Sequence, residues 1–300
     1  MVASPKTSTF TYPIVHVTTD DGLHLFGLLS KPKKPTDTIV IHIHGTSGTF
    51  YWNSFYEPLA ASATGLGLAY LSTNNRGSNI YELEESFIPH GAALEHFEDC
   101  LLDIDAWIEL AMKKGYKRIV LEGHSFGTEK AIYYAAKGKY TDVVAAVILL
   151  GFSDSYGTQE RYLKRTEKNL MPEAQRLMAE GRPCHLLSDL HAQADGAIPA
   201  SATTYVNFFC PESELSKALP LRNGKELPMV REIHVPILGI IGDEDEEYTI
   251  IPIHDAMRLL ESENPLTETH QIPKSNHGFE GKENELAAVI ADFLKRRVLQ

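Results

Sequence analysis

Hydrophobic positions along this chain follow two periods in turn. Short apolar runs rich in β-branched residues occupy positions 38–44 (TIVIHIH), 68–73, 118–122, 143–150 and 237–241, and the more polar 267–272 reads as a further strand. Runs of this length and composition predict buried strands. Between them the apolar residues recur every three or four positions. Leu94, Phe97, Leu101, Ile104, Ile108 and Ala111 mark one such helical face. Positions 53–63, 128–137, 253–262 and 284–296 also read as helices. The N-terminal stretch differs. Residues 11–19 alternate, Asp20-Asp21-Gly22 is a turn signal, and residues 23–29 resume extended character, which predicts a hairpin.

Repeated strand–helix alternation predicts an α/β fold, with parallel strands and crossover helices on both faces of one sheet. The hairpin adds an antiparallel edge. One segment breaks the rhythm. From 153 to 230 the text is first helical and polar (RYLKRTEKNLMPEAQRLMAE), then irregular with Gly, Pro and aromatics. It reads as an insertion between two sheet strands, so that residues 1–152 and 231–300 form one core domain. No internal repeat or low-complexity tract stands out.

Composition narrows the function. With 300 residues, 43% hydrophobic and 23% charged, the chain matches an ordinary soluble globular protein. The formal net charge of −12 argues against nucleic acid as a partner and disfavours polyanionic substrates. The three cysteines, Cys100, Cys184 and Cys210, form no CxxC pair, which argues against a disulfide framework or structural zinc. The start, Met-Val-Ala-Ser-Pro-Lys, lacks the basic and apolar regions of a secretory signal. No apolar run is long enough to span a bilayer. The expected location is the cytoplasm, with no membrane partner. The oligomeric state is left open, a homodimer included.

Candidate chemistry centres on Gly123-His124-Ser125-Phe126-Gly127, a G-x-S-x-G pattern between a strand and a helix. In that context the serine occupies a sharp turn, and the glycines avoid collisions with neighbouring backbone. The turn exposes Ser125 as a nucleophile and aims the Phe126 N–H at a developing oxyanion. A second donor is expected from His44-Gly45-Thr46-Ser47-Gly48, with Thr46 first and Ser47 next. The base is expected at His277, in the loop after the last strand. His124 adjoins the serine but is expected to point elsewhere. His42 and His44 share a strand face and are read as structural, with no metal site. The orienting acid should follow the penultimate strand, in the acidic run after Gly242. Asp245 is the first choice, with Asp243 and Asp154 as alternatives.

These residues, in the order Ser, Asp, His, resemble the α/β-hydrolase superfamily. The likeness covers nearly the whole chain and rests on the His44-Gly45 turn, the 123–127 elbow, the Gly242-x-x-Asp245 turn and His277. Asn74-Asn75-Arg76-Gly77-Ser78 is similar to an Asp-x-Arg-Gly segment that many members carry, with Asn in place of the acid. The resemblance implies a mostly parallel eight-stranded sheet and a mainly helical cap after the sixth strand, which the 153–230 insertion fits. Within the superfamily the chain looks most similar to small serine hydrolases that resemble siderophore-ester or acyl-ester hydrolases. A serine at the elbow disfavours the branches that use Asp there. The Gly45-Thr46 pair departs from the His-Gly-Gly-Gly loop of one lipase and esterase branch.

The expected function is hydrolysis of a small or medium-sized ester through an acyl-enzyme, without metal or organic cofactor. Amide or peptide cleavage and acyl transfer use the same groups, and a non-catalytic receptor on this fold is the remaining alternative. Substrate contacts are expected from Tyr205, Phe208 and Phe209 in the insertion, with Tyr162, His185 and His191 as polar candidates. Tyr51 and Trp52, after the oxyanion turn, are expected to border the acyl pocket.

Overall fold

The computed structural model describes residues 13–83 and 87–300. The N-terminal residues 1–12, including the first two of the expected hairpin, lie outside it. Eight strands form one sheet: β1 (Ile14–Thr18), β2 (His24–Ser30), β3 (Thr38–Ile43), β4 (Ala69–Thr73), β5 (Arg118–His124), β6 (Val144–Leu150), β7 (Ile237–Gly242) and β8 (Thr267–Ile272). Their order across the sheet is β1-β2-β4-β3-β5-β6-β7-β8. The hairpin supplies the antiparallel edge, β2 pairing antiparallel with both β1 and β4, and every pair from β4 to β8 is parallel. Residues 82–83 and 89–90 pair as a small separate ribbon that hydropathy did not announce.

The central strands are buried on both faces, and their side chains divide by the period of two. Ile39, Ile41, Ile119, Leu121, Val147 and Leu149 point to one face, where they pack with α2 (Cys100–Lys113), α3 (Phe126–Lys137) and α10 (Ile253–Glu263). Val40, Val120, Ala146 and Ile148 point to the other, against α1 (Tyr56–Gly65) and α11 (Glu283–Arg297). Continuous apolar runs in the sequence are thus two interleaved cores.

Two expected helices begin later than their periodicity suggested. α1 starts at Tyr56, and α2 starts at Cys100 although Leu94 and Phe97 share its spacing. Residues 91–93 donate their backbone N–H groups to Arg76, Asn79 and Ile80 instead of entering a helix. Phe97 still reaches the core from this turn, fully buried.

Between β6 and β7 the chain builds α4 (Ser155–Thr166), α5 (Met171–Ala179), α6 (Ala202–Phe209), α7 (Glu214–Ala218) and α8 (Pro228–Arg231). The polar helical text is two helices, broken where Glu167 takes the left-handed conformation at φ 53°. Ala174, Leu177, Leu187, Ala192, Ala200 and Tyr205 form a small core of their own. Phe208, Leu215, Leu219, Leu227 and Val230 instead join the main core beside α3. A short helix, α9 (Glu246–Thr249), follows β7.

Candidate active site

Parallel strands bring their C-terminal ends to one edge of the sheet, and the loops there converge. At the end of β5 the chain turns into α3 through Ser125, whose φ of 55° and ψ of −126° are rare for a side-chain-bearing residue. The turn is held from three sides. The Ser125 N–H donates to the Leu150 carbonyl at 2.9 Å, and the Ser125 carbonyl accepts from Thr128 N–H at 2.8 Å and from its hydroxyl at 2.6 Å. No Cβ fits at either flanking glycine. At Gly123 it would lie 2.2 Å from the Gly127 carbonyl oxygen, and at Gly127 2.2 Å from that of Ile43. At Gly45 it would meet the Ser125 Cβ at 2.8 Å.

Ser125 Oγ lies 2.8 Å from His277 Nε2, positioned to donate to it. On the other side of the ring, His277 Nδ1 faces Asp245 Oδ1 at 3.2 Å, and neither atom has another partner. The pair has ion-pair separation but not hydrogen-bond alignment, a looseness common before substrate binds. Asp245 is fully buried, and its other oxygen accepts the Gly242 N–H at 3.3 Å. Asp245 therefore takes the position expected of the orienting acid. Asp243 is exposed and instead accepts the Ser275 N–H at 3.0 Å, which fixes the His277 loop; backbone donors hold its carboxyl below the usual range. Asp154 caps α4 through the Gly157 N–H at 2.8 Å and pairs with Arg222 at 2.7 Å.

Two further residues hold the His277 ring and its backbone. Tyr248, from α9, stacks on its ring at 3.8 Å between centroids and 13° between planes. His124 makes no hydrogen bond to Ser125; its Nε2–H donates to the His277 carbonyl at 2.8 Å. Burial, and then the nearby His277, push the His124 imidazole well below its usual range, so it stays a neutral donor.

The loop after β3 is built from behind. His44 is buried, and burial aided by Lys130 pushes its pKa down to about 3. The neutral ring donates from Nδ1 to the Gly45 carbonyl at 2.7 Å and accepts the Asn75 N–H at Nε2 at 3.1 Å. Asn75 also accepts from Lys130 Nζ at 3.2 Å, and Lys130 makes a buried ion pair with Glu95. These contacts tie the Gly45-Thr46 turn to the start of α3. His42 turns to other partners, with Nδ1 2.7 Å from Glu122. Arg76 of the Asn-Asn-Arg-Gly segment pairs with buried Asp103 at 2.9 Å.

A cavity of about 260 Å³ opens over Ser125 and His277. Thr46, Ser47 and Phe126 line it, as does Ser125; the Phe126 N–H belongs to a first helical turn, where no intrahelical acceptor exists. Phe208 and Phe209 also line it. Tyr205 does not: it is buried in the small core of the insertion, T-stacked on Phe209. Tyr51 and Trp52 do not border this cavity either. They are 65% and 68% exposed beside a separate groove, because Phe55 and Tyr56 take the sheet-facing places at the head of α1. Tyr162 is buried, and His185 and His191 lie on the surface. Residues that no motif or periodicity marks, among them Ser153, Ser155, Thr158, Gln193 and Tyr248, complete the wall.

No protein-family model and no curated protein matches the chain by sequence. Solved structures do match. Est1E from Butyrivibrio proteoclasticus, in a structure with ferulic acid bound, superposes with a TM-score of 0.66 at 18% identity, over 95% of this chain and 100% of its own. The alpha/beta hydrolase GrgF from Penicillium sp. sh18 gives 0.66 at 17% identity, over 97% and 100%. A soluble variant of monoglyceride lipase from Saccharomyces cerevisiae, in complex with a substrate analog, gives 0.63 at 15%, over 99% of each chain. At such identities the likeness is one of fold.

Proposed function

We propose that this chain, which has the α/β-hydrolase fold, is a serine hydrolase that cleaves carboxylic esters of small or medium-sized substrates. The observation that carries the reading is the 2.8 Å contact between Ser125 Oγ and His277 Nε2, with buried Asp245 behind the imidazole. In this reading His277 takes the Ser125 proton as the oxygen attacks the acyl carbonyl, and Asp245 stabilises the imidazolium. The backbone N–H groups of Phe126 and Thr46 bind the oxyanion. His277 then protonates the leaving alcohol, and water attacks the acyl-enzyme with His277 as base. The scheme uses no metal or organic cofactor. Structural neighbours described as an esterase, from Pyrococcus furiosus, and as a monoglyceride lipase support an ester substrate.

Segment 153–230 acts in this proposal as a cap that closes the cavity and sets its size, since Ser153, Gln193, Phe208 and Leu215 all come from it. Among the described residues no helix is long and apolar enough to cross a membrane, and we place the enzyme in the cytoplasm as part of the same proposal. The test is a p-nitrophenyl ester series of increasing acyl length. Wild type should hydrolyse the shorter members, and Ser125→Ala should lose about a millionfold in turnover. Turnover of p-nitroanilides without esters would redirect the reading to amides, and full activity of the variant would overturn it.

A further inference from the structure

Behind the cavity wall lies a buried carboxyl that the acyl-transfer scheme does not use. Glu129 stands one turn into α3, four residues beyond Ser125, and is fully buried. Its Oε1 accepts the Ser155 N–H at 2.9 Å. Its Oε2 meets two hydroxyls, Ser155 Oγ in a short contact and Ser153 Oγ at 3.4 Å. Both serines line the cavity that holds Ser125. Asp154, between them, is committed to capping α4 and to Arg222, so the stretch offers the cavity two hydroxyls.

The arrangement defines what the wall can bind. A hydroxyl has one proton to donate and lone pairs to accept. With Glu129 ionised, both serine protons are directed at it and the cavity meets acceptors. With Glu129 protonated, its proton goes to one serine oxygen and that serine can donate into the cavity. A hydroxyl on the substrate, itself donor and acceptor, satisfies either state. A methylene satisfies neither, and it would cover polar oxygens without replacing their water. The same wall carries apolar side chains, among them Phe126, Phe208 and Leu215. Among the described lining residues there are two carboxylates, Asp195 and Glu247, and no lysine or arginine. An anionic substrate meets no cation there.

We infer that Ser153 and Ser155, held by Glu129, select neutral esters that carry a hydroxyl group over plain alkyl esters and over esters bearing a carboxylate. The inference rests on the serine-hydrolase reading above. The two serines are specificity-determining residues, and Glu129 is a positioning residue that acts through them.

The experiment compares kcat/KM within matched pairs: p-nitrophenyl 3-hydroxybutyrate against p-nitrophenyl butyrate, and glyceryl monobutyrate against propyl butyrate. p-Nitrophenyl hemisuccinate is the anionic control. Wild type should favour the hydroxylated member of at least one pair by on the order of tenfold, and should disfavour the hemisuccinate. Ser155→Ala should bring that ratio close to one. Glu129→Gln, which can still accept the Ser155 N–H and donate to a serine oxygen, should keep the preference; Glu129→Met should lose it. Each ratio is taken within one variant, so a smaller folded fraction cancels. Wild-type turnover with ratios near one, or an unchanged ratio in Ser155→Ala, would overturn the selectivity and leave the hydrolase reading standing. No turnover of any ester would overturn both.

Discussion

Ser125 combines a reactive position with an unfavourable backbone, and the two can be separated. A side-chain-bearing residue in such a conformation costs about 1–3 kcal/mol. Glycine escapes that strain but costs about 0.5–1 kcal/mol more in backbone entropy. Ser125→Gly should therefore be more stable than Ser125→Ala by about 1 kcal/mol in denaturant titration, with both inactive. The acids separate in the same way. Asp245→Asn should lower kcat by about 10⁴, as loss of the orienting carboxylate does elsewhere, while Asp243→Asn, which holds only loop backbone, should cost less than about tenfold. That Ser125, Asp245 and His277 would meet was legible because each follows a strand end in a recognisable turn. His124, Tyr248 and Asn75 were not, since their contacts depend on which loops meet. Tyr51 and Trp52 misled because aromatic character alone does not tell which side of a turn faces the cavity.

At the scale of elements, the elbow works because β3, β5 and α3 approach to backbone contact. Gly127→Ala places a Cβ 2.2 Å from the Ile43 carbonyl oxygen. Backbone can yield only by moving the helix, so the variant should lose about 1–3 kcal/mol. It should also lose activity beyond what its folded fraction explains, because Ser125 moves with α3. The central strands, β3 to β7, were legible to within a residue or two, since burial on both faces leaves continuous apolar runs. The head of α2 was not. Its helical spacing continues to Leu94, but the N–H groups of residues 91–93 find acceptors in the Arg76–Ile80 stretch. Tertiary hydrogen bonds outweigh a local pattern there. The insertion was legible as an interruption, whereas its division between a small core and the main one follows from packing.

For the whole molecule, the candidate site stands on buried groups whose ionisation makes stability depend on pH. Burial holds His44 at about 3 and drives His124 well down. Both take up protons on unfolding once the pH falls below the usual histidine value near 6.5. Their contribution is fully present above that value and is lost as the pH falls toward their folded values. Glu129, Glu95 and Asp154 are raised by burial and act in the opposite sense, favouring the folded state as the pH falls toward the ordinary carboxyl range. Wild type therefore shows a difference of two slopes. His44→Asn removes one of them, and its unfolding free energy should fall by about 2 kcal/mol less than that of wild type between about pH 6.5 and pH 5. Equal slopes in the two proteins would show that His44 is not held neutral.

The most direct test of the central claim is covalent. A fluorophosphonate reacts only with a serine whose proton can be removed, losing fluoride and leaving phosphorus on the oxygen. Intact mass of the treated protein, followed by peptide mapping, should show one adduct per chain on Ser125. Ser125→Ala should show none, and His277→Ala should label far more slowly. An unlabelled wild type, or an adduct that persists in Ser125→Ala, would contradict the account.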